Sequence, residues 1–151
     1  GALITIERTD DLSSYMQKSG TKVNAPVTPE LLETIFYKGT PLHDGAIIIR
    51  GDRIVSATCY LPLSDNMGLS KELGTRHRAA VGMSEVSDAL VITVSEETGA
   101  VSVAQGGKLT RNISQNELRE RLMSIQNRKQ EINKFTAFLK GRLTDEGKTE
   151  E

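Results

Sequence analysis

The chain has 151 residues, enough for one domain with one substantial core but leaving little room for a second. It is 37% hydrophobic and nearly charge-balanced at −1, with no acidic or basic block and only 4% aromatic residues, which leaves a general nucleic-acid-binding module with little support. The single cysteine, Cys59, excludes an intrachain disulfide, a Cys-x-x-Cys pair and a thiolate zinc cluster, and suits a reducing cytosol.

No run reaches the roughly 18 apolar residues of a bilayer span, so the chain as given is expected to be soluble. It opens abruptly on Gly1-Ala2-Leu3-Ile4-Thr5-Ile6, which reads as an interior strand and suggests a piece of a longer protein. Thr9-Asp10-Asp11 can cap a short helix through Leu12, Tyr15 and Met16, stopped at Ser19-Gly20. Residues 22–25 suit a brief strand. Thr28-Pro29-Glu30 is a helix start with proline at the first helical position, and Leu31, Leu32, Ile35 and Phe36 form the inward face of that helix.

Residues 44–50 and 53–60 are β-rich runs joined by Gly51-Asp52, the pattern of a hairpin. If Arg50 faces Arg53 and no bulge intervenes, Asp44 lies opposite Cys59 and His43 opposite Tyr60. The loop after Pro62 leads to Gly74-Thr75-Arg76-His77-Arg78, where Thr75 is the expected N-cap of a helix running to about Val86. Ala89 to Ser95 suits a central strand buried on both faces. Two short strands follow, near 100–104 and 108–112. Ser114-x-x-Glu117 is a capping box for a helix carrying Leu118, Leu122 and Ile125. Ile132, Phe135, Phe138 and Leu139 continue at three- and four-residue steps, giving an amphipathic helix over 128–143 that is expected to dock on its own domain. Residues 144–151 lack an apolar anchor and are expected to be disordered. The expected fold is α/β: one globular domain over residues 1–127 with a central mixed sheet flanked by helices.

Three stretches can carry chemistry. Arg76, His77 and Arg78 crowd the positive end of a helix dipole, which is unfavourable unless an anion such as phosphate compensates; the alternative is a solvated basic turn. Asp44-Gly45 at a strand mouth can hold Mg²⁺ or Mn²⁺, or can simply close an Asx-turn. Ser95-Glu96-Glu97 is a second polar strand end, and Tyr60 is either packing or a face for a base. There is no P-loop and no Gly-x-Gly-x-x-Gly after a strand.

In combination these segments resemble the diadenylate cyclase family. The carriers are Asp44-Gly45-Ala46 and Arg76-His77-Arg78, supported by Pro41-Leu42-His43, Tyr60-Leu61-Pro62-Leu63-Ser64, residues 69–75 and Val94-Ser95-Glu96-Glu97-Thr98-Gly99. The wording is most similar to the membrane-tethered CdaA type, whose transmembrane helices precede this domain and are absent here. The resemblance implies a DAC-domain fold and the joining of two ATP molecules into cyclic di-AMP across a face-to-face homodimer. It implies that Asp44, with His43, holds Mg²⁺ or Mn²⁺. Thr75, Arg76, His77 and Arg78 would neutralise phosphates, with Gly74 beside them. Gly45 and Ala46 would let the nucleotide lie against the backbone, Tyr60 and Leu61 would line the adenine, and Ser95, Glu96 and Glu97 the phosphate and metal side. It also implies a YbbR-domain regulator and phosphoglucosamine mutase as partners, and a parent protein at the cell membrane. A non-catalytic adenine-nucleotide sensor is the alternative.

Overall fold

The computed structural model describes residues 1–146. Among these, seven strands form one mixed sheet in the order β2-β4-β3-β1-β5-β6-β7. The opening strand β1 (Ala2–Ile6) lies inside it, parallel to β3 (Ala46–Arg50) and antiparallel to β5 (Leu90–Val94). β2 (Thr21–Pro26) and β4 (Arg53–Cys59) complete one side, and β6 (Val101–Gln105) and β7 (Lys108–Thr110) the other. The aliphatic runs of β3 and β5 are buried because both sheet faces are covered. On one face α1 (Ser13–Ser19) meets β4, while α3 (Thr75–Val86) lies against β5, β6 and β1. That layer joins Leu3, Ile48, Cys59, Ala79, Ala80, Met83 and Val91. On the other, α2 (Pro29–Phe36) sets Ile35 against Ile47, Ile49 and Ile54. Thr28 caps α2 as its sequence predicts, its Oγ1 accepting from the Leu31 N–H at 3.1 Å.

The hairpin departs from simple counting. Arg50 faces Arg53 and Ile49 faces Ile54, but Ile48 then pairs with Ser56 and Ala46 with Cys59, because β4 carries an extra residue at each of two irregularities. Ala46, not Asp44, therefore opposes Cys59. At the second irregularity Thr58 adopts φ +57°, and its hydroxyl lies 2.7 Å from the Ala57 carbonyl and 2.9 Å from the Thr21 hydroxyl. The bulge turns the end of β4 so that Tyr60 and Leu61 still reach the mouth of β3.

The start of α3 is one residue earlier than expected. Gly74 is the N-cap, so Thr75 is the first helical residue and makes no side-chain cap. At that same end of the sheet lie the start of β1, the start of β3, the end of β4 and the end of β5.

Residues from Ser114 onward form a second unit. Ser114 Oγ accepts from the Glu117 N–H, and one continuous helix, α4 (Gln115–Glu146), follows. The boundary expected near residue 127 falls inside this helix. Ile132, Phe135, Phe138 and Leu139, expected to dock, are exposed, and residues 144–146, expected to be disordered, are helical. The remaining expected tail, 147–151, lies outside the described residues. Among the described residues no helix is long and apolar enough to cross a membrane.

Candidate active site

A cavity of about 410 Å³ opens where these strand ends meet the start of α3. This lies within the ordinary range of small-molecule sites, ~300–1,000 Å³. Its polar end is His43, Asp44, Thr75, Arg76 and Glu96; Leu3, Cys59, Leu61, Leu63 and Ala79 give it an apolar wall, and Tyr60 stands at its edge with 66% of its surface exposed. A smaller cavity of about 150 Å³ shares Thr75, Arg76 and Glu96 with it and continues to Glu72, Gly74, His77, Val94, Ser95 and Glu97. The two cavities thus adjoin at the three shared residues, the larger running from an apolar wall to Thr75 and Arg76 and the smaller lined by further residues at the start of α3.

Helix geometry gives that end its chemistry. The backbone N–H groups of the first helical residues have no partner within the helix, whereas the Arg78 N–H already bonds to the Gly74 carbonyl. The positive pole of the helix therefore lies in the same turn that carries Arg76. Arg76 Nη1 lies 3.2 Å from Glu96 Oε2, tying the start of α3 to the turn after β5. Glu96 is largely exposed, so a phosphate could replace it as partner for Arg76. The turn itself is built by Ser95, whose Oγ accepts from the Glu97 and Thr98 N–H groups. Burial, and then the nearby Arg111 guanidinium, lower the His77 pKa from the ordinary histidine value, favouring neutral imidazole.

His43 Nδ1 lies 2.6 Å from the Thr40 carbonyl oxygen. A carbonyl only accepts, so Nδ1 carries a proton, and the Nε2 atom is the one left to face a ligand. Among the described residues no group of three or more His, Cys, Asp or Glu side chains could hold a metal, so His43 and Asp44, which line this end of the cavity, could hold Mg²⁺ or Mn²⁺ only together with phosphate and water oxygens.

The positive φ of Gly45 (+80°) has a nearer cause than an approaching nucleotide. A Cβ there would lie 3.0 Å from the Cys59 carbonyl oxygen and the Thr58 carbonyl carbon, so the β4 bulge itself requires glycine. Ala46 is fully buried inside β3, and neither it nor Arg78 lines either cavity. The other expected residues do line one. Leu3, Cys59, Leu63, Ala79, Glu72 and Val94 escaped sequence reasoning. Ala79 was legible in principle, one helical turn beyond Thr75; Leu3 becomes a neighbour only through the pairing of β1 with β3 and β5.

Comparison with known proteins identifies the family and the fold. Residues 1–109 match the family model of the DisA bacterial checkpoint controller nucleotide-binding (DAC) domain. The chain is 56% identical over 122 residues to the cyclic di-AMP synthase CdaA of Bacillus subtilis (strain 168), covering 81% of this chain and 44% of that protein. It is 53% identical over 123 residues to a diadenylate cyclase of Listeria monocytogenes, covering 82% and 45%. It thus spans less than half the length of these relatives. Its fold is similar to the crystal structure of a double mutant of DacA from Staphylococcus aureus, with a TM-score of 0.80, 50% identity and 82% of each chain covered. On the matched residues and the shared fold, the chain belongs to the diadenylate cyclase (DAC) domain family.

Proposed function

We propose that this domain condenses two ATP molecules into cyclic di-AMP, releasing two pyrophosphates. The observation that carries this reading is the cavity that joins an apolar, tyrosine-edged wall to Thr75 and Arg76 at the start of α3, with Asp44 in its lining. The family membership supports it. Adenine would lie among Tyr60, Leu61, Leu63 and Leu3. The triphosphate would extend towards Thr75, Arg76 and His77, where helix N–H groups and the guanidinium compensate its charge. Arg78 would add to the positive field there. Ser95 holds the turn that carries Glu96 and Glu97 on the phosphate and metal side.

In each half-reaction the 3′-oxygen of one nucleotide forms a bond to the α-phosphorus of the other. The bond from that phosphorus to the bridging oxygen breaks in line, pyrophosphate departs, and the 3′-hydroxyl proton leaves towards the Asp44 carboxylate. Positioning and charge neutralisation dominate such chemistry. Asp44 and His43 would hold a divalent metal with the phosphates, and that ion, when bound, makes the hydroxyl more acidic and offsets negative charge. Neutral His77 would donate one hydrogen bond to a phosphate oxygen without a further full charge.

One site accommodates one ATP, whereas the product has two equivalent halves. The catalytic unit is therefore a two-fold dimer with facing sites. A partner covering that face would inhibit, and a YbbR-domain regulator and phosphoglucosamine mutase are the candidates that the family resemblance implies. By the same resemblance, segments ahead of Gly1 would hold the parent protein at the membrane with this domain on the cytoplasmic side.

The test is Asp44→Asn, assayed with ATP and Mn²⁺ or Mg²⁺. We expect cyclic di-AMP formation to fall by about 100-fold or more while ATP still binds. Unchanged turnover would remove Asp44 from the chemistry. A wild-type protein that binds ATP yet forms no cyclic product would be a sensor, not an enzyme.

A further inference from the structure

Gly82 stands within α3 and is buried, a position where glycine is disfavoured relative to alanine. Its reason is a backbone contact. A Cβ at Gly82 would collide with the Pro62 carbonyl oxygen, and would lie 2.7 Å from the Pro62 carbonyl carbon and 2.8 Å from the Ser64 backbone nitrogen. The segment 60–64, which follows β4 without regular structure, is thus laid directly on the helix. The Ser64 N–H donates to the Arg78 carbonyl at 3.0 Å, one turn before Gly82. The other end of the segment is tied to α1: the Tyr60 N–H donates to Ser19 Oγ at 2.8 Å, and Ser19 Oγ–H donates to the Tyr15 carbonyl at 3.3 Å. Between the two anchors run Tyr60, Leu61 and Leu63, which wall the apolar end of the cavity.

We propose that residues 60–64 form a strap whose anchors, Gly82 and Ser19, set the affinity for the adenine end of the nucleotide independently of the phosphate end. Gly82 and Ser19 are positioning residues, since neither lines the cavity. The asymmetry follows from what can move. α3 is fixed against the sheet by four buried side chains, Ala79, Ala80, Val81 and Met83, whereas the strap enters the same core only through Leu61, is joined to the helix by the Ser64–Arg78 bond, and has no strand partner beyond Cys59. A methyl group at position 82 therefore displaces the strap rather than the helix, and Thr75 and Arg76, two turns earlier, stay in place.

This inference rests on the adenine-binding reading, and the experiment separates the two. Two probes are used on the whole chain: 3′-deoxy-ATP, which lacks the attacking hydroxyl and cannot turn over, and inorganic triphosphate, which occupies only the phosphate end. Gly82→Ala is expected to raise the Kd for 3′-deoxy-ATP about tenfold, because a misplaced wall is costly. Ser19→Ala, which removes an acceptor without adding bulk, is expected to raise it about two- to fivefold. The Kd for triphosphate stays at the wild-type value in both. Equal weakening of both probes, or no change in either, would overturn the strap. If Gly82→Ala does not fold, Ser19→Ala alone decides by the same comparison. A wild-type protein that binds 3′-deoxy-ATP no better than triphosphate would overturn the adenine reading itself.

Discussion

His77 shows how one side chain can couple the site to stability. Burial, reinforced by Arg111, lowers its pKa from 6.5 in the folded chain, so the folded state binds fewer protons than the unfolded one just below that value. Stability then rises with pH in this window, and is lost as pH falls from about 6.5 towards the lowered folded value. Replacing His77 with Gln should flatten that part of the stability profile, as read by urea denaturation at a series of pH values. A slope identical in wild type and H77Q would place the responsible proton elsewhere. Cys59 behaves differently. Burial pushes its thiol up despite a contact with Ser56, so it remains a neutral part of the apolar wall. The importance of residues 76–78 was legible because basic groups at a helix start contradict the dipole. Their different placements, with Arg76 and His77 on the cavities and Arg78 on neither, follow from the face of α3 that packs on the sheet, which the sequence of the turn alone does not show.

At the scale of elements, turn chemistry and hydrophobic runs were informative. The Gly51-Asp52 hairpin, the Thr28-Pro29 helix start, the Ser114 side-chain cap and the buried strand β5 all form where their residue types require. The two extra residues in β4 were not legible. They lie within a β-rich run and carry no glycine, and Thr58 at φ +57° is a conformation that a threonine sequence does not announce. Gly45 is the complementary sign of that bulge. Gly45→Ala should destabilise the nucleotide-free protein by about 1–3 kcal/mol, from positive φ and the approach of β4. Chemical denaturation without ligand measures this. A variant of wild-type stability that only binds ATP less well would show instead that the glycine serves the nucleotide. Gly82 was likewise visible as a glycine inside a helical pattern, but what it accommodates is a segment distant in sequence, which periodicity cannot supply.

For the whole molecule, the alternation of strand and helix patterns pointed to an α/β fold, and the mixed sheet agrees with that class. Strand order was beyond sequence reasoning, because the parallel pairing of β1 with β3 depends on α1, β2 and α2 being passed between them. α4 forms as a helix, yet its apolar residues from Ile132 to Leu139 are exposed, so amphipathic spacing alone did not say what they meet. The proposed two-fold catalytic unit predicts a further property. If each site supplies one ATP, turnover per protomer should decline on dilution through the dimer dissociation range, followed by parallel sedimentation and rate measurements. A constant rate per protomer where the protein is monomeric would contradict facing sites.

The most direct measurement is a product balance on the purified chain with ATP and Mn²⁺ or Mg²⁺. The cavity joining Asp44 to the α3 start predicts one cyclic di-AMP and two pyrophosphates for every two ATP consumed. ATP that is bound but left intact with either ion, or cleaved to ADP and phosphate, would contradict it.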